Sequence, residues 1–115
     1  MSGYSEGVRV ERLVILDLQE NGYETTRAAS SKGVADVIAI KAGQVLLVNV
    51  KRTTPPGPAE RRNLLQTAAM LPGVGVPLVA LHPFRQALEY RELYGPGPGD
   101  WRPWFPDFTT WVKVS

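Results

Sequence analysis

Apolar and polar positions change period repeatedly along this chain. From Ser2 or Ser5 to about Glu20 the apolar residues recur at helical spacing. With about 100° per residue, Val10, Val14, Ile15 and Leu18 fall on one arc. Either serine can cap such a helix, and Asn21-Gly22 stops it. YETTRA (23–28) is rich in strand formers, and SSKG (30–33) reads as a loop. ADVIAI and QVLLVNVKR are strands joined around Ala42-Gly43. TTPPGP (53–58) is a stiff linker. AERRNLLQTAAMLP is a second helix, begun near Pro58 and stopped by Pro72. VPLVALH is a buried strand, and FRQALEYRELY is ambiguous between helix and strand. GPGPGDWRPWFP reads as irregular, and FTTWVKV as a last strand.

The first three strands are expected to be antiparallel in part. The fourth follows a helix, which allows a parallel crossover. The predicted class is α/β, a small mixed β-sheet flanked by helices. At 115 residues the chain has room for one core. A single domain is expected, with a core over about 5–82 and a Pro/Gly/aromatic-rich extension over 83–115.

Composition narrows the partners. No apolar run reaches the ~18 residues of a membrane span. MSGYSEGVRVE lacks the basic start and apolar stretch of a signal peptide, so an intracellular location is the default. With no cysteine, disulfides and thiolate metal sites are excluded. A formal charge of +2 permits nucleic-acid binding without requiring it.

The hairpin carries the candidate chemistry. If its turn centres on Ala42-Gly43, Lys41 faces Gln44, and counting outward sets Asp36 opposite Asn49. Lys51, two residues beyond Asn49, shares that face. Glu11 falls inside the apolar arc of the first helix, where an isolated carboxylate is costly. It needs a cation, a hydrogen bond or a metal, and the hairpin face supplies such partners if the helix packs there. Carboxylates beside a lysine form hard-oxygen sites for Mg²⁺ or Mn²⁺. Such a site suits phosphodiester hydrolysis, with Lys51 orienting a water or stabilising negative charge.

In this order the residues resemble the PD-(D/E)xK nucleases, and most of all the archaeal-type Holliday junction resolvases (Hjc-like). The likeness runs from about Gly7 to Leu81. It comprises Glu11 in VER, Arg27 before SSKG, Asp36 after that loop, Asn49-Val50-Lys51 at the acid-x-Lys position, Gln66 on the following helix, and GVPLVAL. The resemblance implies a restriction-endonuclease-like core and a homodimer that nicks paired strands of a four-way junction. It implies that Asp36, position 49 and the Val50 carbonyl hold Mg²⁺ (Mn²⁺ substituting), that Glu11 completes the acidic site, and that Lys51 is the catalytic lysine. Ser30 and Ser31 would lie near the scissile strand. Arg12, Arg27, Lys32, Arg52, Arg61 and Arg62 would contact phosphates, and Gln66 would support the site.

The departure is Asn49, where the family pattern asks for Asp or Glu. An amide oxygen is a hard ligand without charge. Three accounts stand side by side: a natural enzyme with a weaker ligand, a branched-DNA binder that has lost catalysis, and an aspartate replaced to trap an inactive form. Another nicking or repair nuclease on this scaffold, and an interaction domain with no nucleic-acid role, are the further alternatives. Leu13 and Leu16 lie outside the sheet-facing arc, and the second helix holds surplus apolar residues, which suggests self-association. Trp101, Trp104, Phe105, Phe108 and Trp111 are expected to pack over the core, and His82 before Pro83 to be structural.

Overall fold

The computed structural model describes residues 2–28 and 34–106. The first helix, α1, spans Ser2–Glu20. Gly22 ends it at φ 90°, a left-handed conformation that glycine adopts at no steric cost. The N–H groups of Gly22 and Tyr23 return to the carbonyls of Gln19 and Leu18, closing the last turn.

Three strands follow: β1 (Glu24–Arg27), β2 (Val37–Lys41) and β3 (Gln44–Lys51). Ala42 and Gly43 both have positive φ, 53° and 78°. This is the tight-turn geometry whose twist matches a hairpin. The pairing therefore starts at Lys41↔Gln44, as counted from the sequence, and runs to Val37↔Val48. Helix α2 (Pro58–Ala69) starts on a proline and carries the chain over to β4 (Gly75–Leu81), which lies parallel to β3. A β-carbon on Gly75 would come 2.6 Å from the Ala68 carbonyl, so only glycine lets the helix end so close to the strand.

Two more strands, β5 (Glu89–Leu93) and β6 (Trp101–Trp104), complete a six-stranded sheet in sequential order. Here the structure corrects the reading of GPGPGDWRPWFP as irregular. Pro103 sits opposite Arg91 on the outermost strand, where a missing N–H costs nothing to the sheet. Trp104 is buried, with its ring edge-on to Tyr90 at 5.4 Å and to Tyr23 at 6.3 Å. Trp101 lies under the Arg91 guanidinium at 4.0 Å, whereas Phe105 is exposed. Phe108, Trp111 and the FTTWVKV strand lie outside the described residues.

Strand alternation divides the core into two layers. Val14 and Leu18 of α1 pack with Val37, Ala39, Leu46, Val48, Leu78 and Ala80 on one face. Leu64 and Ala68 of α2 pack with Leu47, Val79, Leu81 and Leu93 on the other. Odd positions of β3 thus face α2, and even positions face α1.

Candidate active site

The hairpin ladder stops at Val37↔Val48, one step short of the expected Asp36–Asn49 pair. Asp36 instead caps the open end of the sheet. Its main-chain N–H donates to the Val48 carbonyl at 2.7 Å, and its carbonyl accepts from Ala28 at 2.9 Å. Its carboxylate accepts the Val50 N–H at 2.7 Å. A strand residue presents its N–H and C=O to the same edge. The Val50 carbonyl therefore opens into the gap left by the end of β2, beside Asp36.

Asn49 is the buried polar residue of this region, 3% exposed. Its Nδ2 donates to the Val34 carbonyl at 2.6 Å. That contact fixes the amide orientation, because a flipped amide would set two oxygens against each other. Its Oδ1 is then buried with no hydrogen-bond partner among the described residues. Lys51 projects to the same face, where its ammonium meets Glu60 of α2 at 3.1 Å.

Glu11 approaches the rim from the α1 layer. α1 covers the face of Val37, Val48 and Val50, not the face of Asn49 and Lys51, because alternation assigns those positions to opposite sides. The cation that Glu11 required is Arg27 at the end of β1, which donates through Nε at 3.0 Å and Nη2 at 2.9 Å. Convergence is nevertheless electrostatic. Burial pushes the Asp36 carboxyl above its ordinary value, and the Val50 N–H partly offsets this. Glu11 raises it further from one layer, while Lys51 lowers it and Glu60 raises it from the other. Asp36 at the sheet's rim thus feels both sides.

Among the described residues no three acidic or histidine side chains gather into a metal cage. The oxygens present still fit a hard cation. Asp36 brings charge, the Val50 carbonyl opens beside it, and the orphaned Asn49 Oδ1 needs a partner. Buried polar atoms without partners are few in folded proteins, and an ion is one way to satisfy them.

The basic candidates divide. Arg12 and Arg27 line a cleft of about 130 Å³ with Val8 and Ile15. Arg52 and Arg62 are exposed. Arg61 is held by two carbonyls, donating to Pro96 and Pro56 at 2.8 Å each, so it ties loops together. Ser30, Ser31 and Lys32 lie outside the described residues. Gln66 is exposed, and the α2 residue that reaches the site is Glu60. Sequence reasoning passed over Glu60. The available signal was its spacing of four residues before the buried Leu64, which sets both on one side of α2.

Residues 2–57 match the family model of the archaeal Holliday junction resolvase (Hjc). That span holds Glu11, Arg27, Asp36 and the Asn49-Val50-Lys51 element; Glu60 and Gln66 lie beyond it. Among curated proteins no sequence matches the chain. Among solved structures the chain is similar to Hjc of Archaeoglobus fulgidus, a Holliday junction resolvase from an archaeal hyperthermophile. Identity is 24% and the TM-score 0.61, over 74% of this chain and 70% of that one. The likeness establishes a common fold.

Proposed function

We propose, for a chain whose residues 2–57 match the archaeal Holliday junction resolvase (Hjc) model and whose fold is similar to that of Hjc, that it is a PD-(D/E)xK nuclease, a Mg²⁺-dependent endonuclease resolving four-way DNA junctions by paired nicks. The observation that carries this reading is the open end of β3. There the Asp36 carboxylate accepts the Val50 N–H, the neighbouring Asn49 carries a buried Oδ1 with no partner among the described residues, and Lys51 is two residues further along.

Asp36, Asn49 and Val50 would hold the Mg²⁺ (or Mn²⁺), with Glu11 and Glu60 adding negative field. When bound, the cation supplies positive charge to the phosphate and acidifies a water. The chain's own residues do the positioning. Asp36 is fixed by the Val50 N–H, and Asn49 by the Val34 carbonyl. Lys51 is held by Glu60 until a phosphate competes for it; its ammonium then orients the attacking water and balances charge on the phosphorus oxygens. Glu11 keeps Arg27 extended, with more than half of that side chain in solvent, where it meets backbone phosphate. The working unit is a homodimer, supported by the exposed Leu13, Leu16, Met70 and Leu71. It acts inside the cell, where DNA junctions arise.

One observation favours a second reading, a branched-DNA binder without catalysis. Asn49 is used as an amide, with its N–H donating to Val34, and an uncharged ligand binds a divalent cation more weakly. Cleavage of four-way junction, flap and linear duplex, each with Mg²⁺ and with chelator, separates the two. Paired symmetric nicks in the junction support the resolvase. Binding without nicks selects the binder.

A further inference from the structure

A cavity of about 330 Å³ opens beside the end of the sheet, lined by Arg9, Arg52, His82, Phe84 and Arg85. Its walls come from α1, from the residue after β3 and from the loop after β4. They hold three guanidiniums and an imidazole, and among the described residues no carboxylate lines them. Neither Arg9 nor Arg85 has a carboxylate partner among the described residues. Arg9 and Arg85, lacking such a partner, are the two cations of the cavity that an entering anion would neutralise.

Arg85 adopts φ 58°, a region that side-chain-bearing residues rarely occupy. This turn places its guanidinium over the Phe84 ring at 5.2 Å, and Phe84 is itself 77% exposed. The His82 N–H donates to the Arg52 carbonyl at 3.0 Å, which holds the ends of β3 and β4 in line. The adjoining groove shares His82 and is otherwise lined by Leu13, Leu16, Asp17, Glu20 and Leu88, apolar and acidic, which disfavours a polyanion beyond the arginine side. Alternation sends Lys51 to the α2 face and Arg52 to the α1 face. A nucleic-acid strand crossing the end of the sheet meets both.

We propose that this pocket binds a DNA backbone phosphate flanking the scissile one, with Phe84 as the platform for an adjoining unpaired base. This rests on the nuclease reading and adds a contact across the sheet from Asp36 and Lys51. Guanidiniums recognise phosphate by forked donation, and an exposed aromatic beside them stacks bases of any sequence. Base pairs at the exchange point of an open junction lack a stacking neighbour on one side and open more readily than pairs within a continuous duplex, so the pocket favours branched DNA over duplex.

The test measures binding of a four-way junction and of linear duplex in chelator, across a range of salt. The parent, the double variant Arg9→Gln/Arg85→Gln and Phe84→Ala are compared. Removing the two cations should weaken junction binding about tenfold at low salt and make the log-log salt slope shallower by about 1 to 2. Phe84→Ala should weaken junction binding about fivefold or more with the slope unchanged, and duplex binding far less. The chain's single histidine provides a direct probe. Its ring NMR signals should shift when inorganic phosphate or a short oligothymidylate is added to the parent, and not in the double variant. A double variant with parental affinity and slope, or a parent whose His82 signals ignore bound DNA, overturns the proposal. If that parent still binds and nicks junctions, the resolvase reading stands. A parent that binds no DNA removes both.

Discussion

Replacing Asn49 with aspartate exchanges the Nδ2 donor for an oxygen in the same place, 2.6 Å from the Val34 carbonyl. The site is 3% exposed, so water cannot repair the loss. One hydrogen bond disappears, two oxygens are set against each other, and a carboxylate enters a buried position near other acids. Together these cost about 2–4 kcal/mol in the cation-free protein. For a chain of this size that lowers the melting temperature by roughly 10 °C. A divalent cation reverses the balance, because a second charged oxygen at position 49 binds it more tightly than an amide does. At a hundred times its dissociation constant the ion returns about 2.7 kcal/mol. Thermal melts of the parent and Asn49→Asp, in chelator and across a Mg²⁺ titration, read both effects. The variant should melt lower in chelator, gain more from Mg²⁺, and nick junction DNA faster. Equal melts in chelator would refute the Asn49–Val34 contact. An equal Mg²⁺ gain in the two forms would refute a role for position 49 in holding the cation.

Asp36→Asn tests the cost of the rim carboxylate. Burial raises its pKa, so the folded state holds that proton more tightly than the unfolded chain. The associated stability is complete below the unfolded value of about 3.9 and is lost as pH rises through the folded value. In chelator the variant's stability advantage should therefore grow as pH rises from acid towards neutrality, as read from urea midpoints; a constant difference would contradict this sign. Lys51→Ala should abolish nicking, about a hundredfold or more, while junction affinity in chelator stays within about threefold; matching losses in both would make Lys51 a binding residue instead. Leu16, 49% exposed, lies beside Leu13 on the outer side of α1, and Leu16→Glu should convert a sedimenting dimer to monomer with the melt of the monomer fold retained; an unchanged dimer would move the interface to Met70 and Leu71.

Much of the architecture could be read from local chemistry. The two-residue turn at Ala42-Gly43 set the hairpin register, because both positions adopt positive φ and period-two alternation leaves no slack. Prolines at 58 and 72 bounded the crossover helix, and its position between two apolar strands implied the parallel β3–β4 pair. The tail was misread for a physical reason. Pro103 argues against a strand only where a neighbouring strand needs its N–H, and the rule lapses at a sheet edge that the sequence does not mark.

What the sequence determined by itself was the list of reactive groups and their spacing: Asp36 and Lys51 at the ends of two paired strands, an amide where a carboxylate is expected, and a carboxylate in an apolar helical arc. Those depend on periodicity and turn geometry, which act over a few residues. The tertiary structure alone decided which layer each group faces. It assigned Glu11 to Arg27, Lys51 to Glu60 and the Asn49 amide to Val34, and gathered Arg9, Arg52 and Arg85 around one cavity. Pairings of this kind join residues distant in the chain. They are fixed by how two helices divide the faces of one sheet, and no short-range pattern records that choice.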